Sequence, residues 1–208
     1  NGKTILEWKL EHYGSRALKN TILCVGYQGD KIVEHIKPKF KQVNFHNSGE
    51  QSGILRRLVD IKDKLLPLSI VTYGDTFAKL ELDLLLNKHI ENEVLITLVV
   101  ATITNPFGIL EWNDKNIITR FEEKPVINHF IGYFVISRKA FDYIPQQVID
   151  MTDGEGIVTM FQILIAMKKA KVYEFNGLKF TINTPSELED AKKKMGNFFT
   201  LDEENNEK

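Results

Sequence analysis

The residues best suited to chemistry lie at the end of Leu68-Ser69-Ile70-Val71-Thr72-Tyr73-Gly74-Asp75, a β-forming run closed by a glycine and a carboxylate. Apolar runs of this length with abrupt ends read as strands buried on both faces. In open α/β sheets, ligands settle just beyond the carboxyl ends of such strands. Asp75 therefore stands where a metal-bound phosphate substrate would be held, since a hard cation takes a carboxylate oxygen. Glycine and aspartate are also ordinary turn formers, so a plain strand exit explains the pair as well. The other reactive side chains form no second constellation. His12, His35, His46, His89 and His129 are scattered without ligand spacing. Lys192-Lys193-Lys194 falls in the last turn of a helix, where cations suit the macrodipole, and does not read as a nucleic-acid patch.

The elements that must position Asp75 follow from periodicity. Ile5, Leu6, Trp8, Leu10 and Tyr13 keep helical spacing, and Thr21 to Val25 reads as a buried strand. Asp30 is the expected N-cap of a helix through Ile36. A strand from Gln42 to His46 and a helix from Ile54 to Leu65 then lead into the Leu68 strand, and a helix from Leu80 to Ile90 follows Asp75. This alternation predicts an α/β fold with a Rossmann-like, mixed but mostly parallel sheet flanked by helices. The second half is richer in strands: Val94 to Thr102, a hairpin about Asn113-Asp114-Lys115-Asn116, Phe130 to Ile136, and two short strands near 172–175 and 178–182. Short helices are expected over Arg138 to Ile144 and Val158 to Lys169. Thr184-Pro185-Ser186-Glu187 is a capping box that opens a final helix. We expect one domain over 1–195 and a polar, acidic tail over 196–208.

With 208 residues, 43% of them hydrophobic and 26% charged, the composition is that of a soluble globular chain. A formal charge of −1 gives no bulk attraction to nucleic acid or to an anionic membrane. The lone cysteine, Cys24, excludes an intramolecular disulfide and a cysteine-based zinc site, which favours a reducing, cytoplasmic setting. Its apolar runs fall short of the ~20 residues that span a bilayer.

Several segments resemble, in order, the sugar-1-phosphate nucleotidyltransferases. They are Asn1-Gly2-Lys3-Thr4-Ile5-Leu6-Glu7-Trp8, Ile22 to Gly29, Thr72-Tyr73-Gly74-Asp75, Pro106-Phe107-Gly108, Phe121-Glu122-Glu123-Lys124-Pro125, Ile131 to Val135 and Asn183-Thr184-Pro185. The cytidylyl- and thymidylyl-transferring branches are the most similar in wording. The resemblance implies transfer of a nucleotidyl group from a nucleoside triphosphate, CTP or dTTP favoured, to a sugar 1-phosphate, with Mg²⁺ as cofactor and a small β-rich sugar-binding part. A homo-oligomer is expected. It implies that Asp75 ligates the metal and that Lys124 binds the sugar phosphate, a position that otherwise reads as a solvated turn lysine. Glu123 would accept from sugar hydroxyls, Gly108 would bring a backbone amide to the sugar, and Gly74 and Gly132 would keep the pocket open. Ser52 and Gly53 fall where the base-contacting loop is expected.

Two departures qualify these expectations. The chain begins just after the place where the resemblance sets a first strand and a Gly-x-Gly-x-Arg loop, so an N-terminal segment carrying them is expected before Asn1. The second metal carboxylate implied near Asn183 is missing, because Thr181 and Asn183 are both neutral. Lys179 replaces a pocket aromatic and could bind phosphate instead. Two alternatives therefore stand beside the enzyme: a silent nucleotide-sugar-binding homologue with a regulatory or scaffold role, and a cytidylyltransferase for a non-sugar phosphate such as phosphocholine.

Overall fold

The computed structural model describes residues 2–152, 154–182, 184 and 186–193. The chain opens with α1 (Ile5–Leu18), whose start is set by a capping box. The Thr4 hydroxyl accepts from the Glu7 amide at 3.2 Å, and the Glu7 carboxylate accepts from the Thr4 amide at 2.7 Å. Gly14, with φ +71°, kinks the helix. The strand β1 (Ile22–Val25), α2 (Gly29–Ile36) and β2 (Asn44–Asn47) then form a parallel pair with its crossover helix. Leu10, Leu18, Ile36, Phe40 and Val43 pack between this pair and α1. The cap of α2 is Gln28, at φ +52°, and Asp30 sits in the first turn instead, where its charge still suits the helix N-terminus.

After α3 (Ile54–Asp60) and a 3₁₀ turn over Lys62–Lys64 come β3 (Leu68–Thr72), β4 (Thr76–Ala78) and α4 (Leu82–Ile90). β5 (Ile96–Thr104), the hairpin β6 (Ile109–Trp112) with β7 (Ile118–Glu122), and the long β8 (Val126–Ser137) follow. The chain continues with a 3₁₀ turn over Arg138–Tyr143, α5 (Gln146–Ile149), α6 (Glu155–Ala166), β9 (Ala170–Glu174), β10 (Lys179–Thr181) and a helical stretch over 186–193. The predicted capping box is present there: the Thr184 hydroxyl accepts from the Glu187 amide at 3.2 Å, and the Glu187 carboxylate accepts from the Thr184 amide at 3.0 Å.

The main sheet has the order β3-β8-β5-β9. β8 runs against both β3 and β5, whereas β9 is parallel to β5. The α/β class and the mixed sheet hold. The share of parallel pairing is lower than the alternation suggests, because β8 inserts between two strands of like direction. Successive residues of β8 point to opposite layers. Phe134 and Ile136 meet α3, α5 and α6 through Leu55, Val148 and Met160, while Tyr133 and Val135 meet Leu85 of α4. β3 departs from expectation. All five of its residues are half-buried, because among the described residues it is an edge of this sheet with β8 alone beside it. No helix among the described residues is long and apolar enough to cross a membrane.

Candidate active site

Because β3 and β5 both oppose β8, they run in the same direction and end on the same side of the sheet. Asp75 follows β3 and Gly108 follows β5. β5 and β8 stay paired from Val100↔Phe130 out to Thr104↔Val126, past the level at which β3 ends at Thr72↔Tyr133. The extension forms a wall beyond the end of β3, and five residue pairs at ~3.3 Å each make it roughly 16 Å long.

At the base of that wall, Gly74 and Asp75 are exposed. The Thr76 hydroxyl donates to Asp75 Oδ1 at 3.2 Å, and the Ile182 amide donates to the Asp75 carbonyl at 2.9 Å. β10 pairs antiparallel with β4, with Thr181 opposite Thr76 and Lys179 opposite Ala78. Phe180 stacks on Phe77, so Lys179 and Thr181 share the other face of their strand. Asp75, Thr181 and Lys179 are thus gathered by pairing between segments a hundred residues apart. Asn183 lies outside the described residues. Gly132 belongs to the same group: its φ is +75°, its carbonyl accepts from the Tyr73 amide at 2.9 Å, and a side chain there would press on Thr76 and Tyr73.

On the wall, Gly108 and Glu123 are neighbours, and a Cβ at Gly108 would lie 3.1 Å from a Glu123 carboxylate oxygen. Lys124 is exposed at φ +47°, a left-handed conformation unusual for a lysine before proline. Strain of that kind concentrates at functional positions. Among the described residues no hydrogen bond or ion pair joins Lys124 to Asp75; β8 connects their two segments. Ser52 and Gly53 form a third group at the carboxyl end of β1 and β2. Gly53 caps α3, the Ser52 carbonyl accepts from Arg57 Nε at 2.9 Å, and the Arg57 guanidinium lies against Gly26.

Among the described residues no three or more His, Cys, Asp or Glu side chains converge. The oxygens available to a divalent cation at this turn would be the Asp75 carboxylate and the Thr76 hydroxyl beside it. That suits Mg²⁺, which keeps several waters and uses one or two carboxylates together with substrate phosphates.

Two residues of this region went unforeseen in the sequence. Arg57 is one. The other is Lys9, buried beneath the Asp75 turn with 2% of its surface exposed. Burial pulls the Lys9 ammonium down to about 7, against the opposing pull of the Asp75 carboxylate. A signal for it exists: Lys9 falls on the same helical stripe as Ile5 and Tyr13, at spacing four.

Asp75 thus sits on an exposed turn beyond a strand end, with Gly132 behind it and the Lys179–Thr181 strand paired alongside. Residues 1–181 match the model of the Nucleotidyl transferase family, and the chain belongs to that family, a class of transferases. A protein of Bacillus subtilis described as a probable glucose-1-phosphate cytidylyltransferase is 26% identical over 92% of this chain and 84% of its own length. The glucose-1-phosphate cytidylyltransferase of Salmonella typhimurium is 26% identical over 77% of this chain and 73% of its own. Among solved structures, HddC from Yersinia pseudotuberculosis superposes with a TM-score of 0.69 at 16% identity, covering 93% of this chain and 86% of that one. A CTP:phosphocholine cytidylyltransferase from Streptococcus pneumoniae gives 0.65 at 15% identity, covering 94% and 86%. At such identities the likeness of these two structures concerns the fold alone.

Proposed function

We propose that the chain transfers a nucleotidyl group from a nucleoside triphosphate, CTP or dTTP favoured, to a sugar 1-phosphate, releasing pyrophosphate. A phosphate oxygen of the sugar phosphate attacks the α-phosphorus in line. The new O–P bond forms as the α–β anhydride bond breaks, and pyrophosphate leaves with the electron pair. Such reactions depend on positioning and charge neutralisation. Mg²⁺, when bound, supplies charge neutralisation at the phosphate oxygens. Asp75 would hold it, with Thr181 and Asn183 as the neutral oxygen donors expected from the sequence. Lys124 binds the sugar phosphate and Lys179 a second phosphate oxygen. Glu123 accepts from sugar hydroxyls beside the Gly108 amide, Gly74 and Gly132 leave room for the substrate, and Ser52 and Gly53 face the base. Cytidylyl transfer is supported by the relatives named for it. A homo-oligomer belongs to this reading, and exposed Trp112, Ile118 and Phe121 on the hairpin offer an apolar face for it.

The observation that carries the proposal is the bond from the Ile182 amide to the Asp75 carbonyl, which brings the Thr181 and Lys179 segment to the carboxylate. Protein with Mg²⁺, each triphosphate in turn and sugar 1-phosphate is expected to release pyrophosphate, and Asp75→Asn to lower kcat at least ~100-fold. A second reading, nucleotide-sugar binding without turnover, is favoured by the neutral Thr181. Binding with no turnover under any triphosphate would establish that reading, and turnover with phosphocholine alone would move the acceptor to a non-sugar phosphate.

A further inference from the structure

We propose that Lys9 is a positioning residue for Asp75, an ammonium that clamps the metal-bearing turn from inside the fold. The inference rests on the role given to Asp75 above. Lys9 Nζ donates to Thr72 Oγ1 at 2.7 Å, to the Tyr73 carbonyl, and to the Thr76 carbonyl at 2.6 Å. An ammonium has three protons, and three acceptors take them. Two of those acceptors are the carbonyls that bracket Gly74-Asp75. The bracketed residues themselves are exposed, and a Cβ at Gly74 would meet nothing within 4 Å, so packing does not hold them. Their conformation is set by hydrogen bonds, those of Lys9 from below together with the Ile182 amide on the Asp75 carbonyl.

The clamp is itself held. Tyr133, with no exposed surface, has its ring centroid 5.1 Å from Lys9 Nζ and donates its hydroxyl to the same Thr76 carbonyl at 3.3 Å. Tyr13, one turn along α1 from Lys9, donates to the Tyr133 hydroxyl at 3.1 Å. α1 thereby grips the turn at two points. A neutral aliphatic side chain at position 9 would strip the Tyr73 and Thr76 carbonyls of their charged donor and leave them the longer 3.3 Å bonds from the Thr72 and Tyr133 hydroxyls. The positive charge under the turn also offsets the repulsion between Asp75 and an arriving phosphate, which a methionine of similar volume cannot do.

The test compares Lys9→Met, Thr72→Val and Asp75→Asn with the wild-type chain. The first readout needs no ligand: hydrogen exchange of the 73–78 segment in the free protein, expected to quicken at least tenfold in Lys9→Met. The second is steady-state kinetics on folded protein, expected to show kcat down ~30-fold or more with the KM for sugar phosphate within threefold. A purely structural lysine would lower thermal stability and leave both readouts at wild-type values, and that result would overturn the proposal. Thr72→Val removes one acceptor at nearly constant volume. It carries the test if Lys9→Met does not fold, with the same direction expected at smaller size and overturning if absent. Full activity of Asp75→Asn would reject the reading of the site, whereas an inactive Asp75→Asn beside an unaltered Lys9→Met would reject this inference alone.

Discussion

Replacing Gly132 by alanine tests whether the Asp75 turn is shaped by its neighbour on β8. Gly132 has φ +75°, a conformation that costs an L-residue about 1–2 kcal/mol. The new Cβ would lie 3.2 Å from Thr76 Oγ1 and 3.3 Å from Tyr73 Cβ. The Tyr73 contact is near the backbone and cannot swing away. The Thr76 hydroxyl can rotate, but it then gives up its 3.2 Å donation to Asp75, worth about 0.5–1 kcal/mol at an exposed carboxylate. The sum is about 1.5–3 kcal/mol. In a chain of this size that corresponds to a fall in Tm of about 3–12 °C. Gly74→Ala is the internal control, since nothing lies within 4 Å of its Cβ and its φ is not left-handed. It should shift Tm by less than about 2 °C. Thermal unfolding followed by circular dichroism measures both. Pyrophosphate release is expected to drop about tenfold in Gly132→Ala, because the turn that carries Asp75 is displaced. Equal melting temperatures for the two variants would refute the argument that the left-handed backbone at Gly132 governs the site.

Glu7 sets the acid limb of stability. Burial alone would raise its carboxyl, but hydrogen bonds from Lys39, the Thr4 amide and hydroxyl, and His35 outweigh burial and hold it far below its ordinary value of 4.5. A depressed carboxylate stabilises fully above 4.5 and loses that stabilisation as pH falls through the folded value. Urea midpoints between pH 5 and 3 should therefore fall more steeply for wild type than for Glu7→Gln, and parallel slopes would exclude the network. Cys24 is pushed up to about 11, with burial as the main cause, so its reaction with a disulfide reagent at pH 8 should be slow in native protein and fast in urea. Lys124→Ala should raise the KM for sugar phosphate by tenfold or more while leaving Tm within about 1 °C, because its side chain is exposed.

What the sequence disclosed and what it withheld divide along a physical line. Features settled by neighbours in the chain were legible. The Asn113 side chain accepts from the amides of Lys115 and Ile117, and Asn116 takes φ +59°, as the predicted hairpin turn requires. The Thr184 capping box is equally local. β4 was missed because three residues carry too little periodicity to register, and its partner β10 lies a hundred positions away. Lys9 was missed for a related reason. A lysine in an amphipathic helix reads as solvated, and the acceptors that make its burial tolerable come from a strand end more than sixty residues on. The half-buried state of β3 was illegible because a strand's apolar content does not say which of its edges is paired.

The same division explains how Asp75 comes to be both exposed and fixed. Of the groups that hold residues 72–76, the Thr72 and Thr76 hydroxyls are local in sequence. The others are Lys9 from α1, Gly132 and Tyr133 from β8, and Ile182 beyond β10. A turn held from three directions presents its carboxylate to solvent without the ordering cost that a free loop would meet on binding substrate. Among the described residues nothing braces Lys124 and Glu123 in this way, and they stand at the far end of the β5–β8 extension. The two ends are joined by a single strand that bends where Gly132 is left-handed. Substrate bound across them would therefore tie the distal wall to an already rigid base. Hydrogen exchange should slow on substrate binding in 105–126 and hardly change in 72–78. Equal slowing in both segments would contradict a pre-formed base.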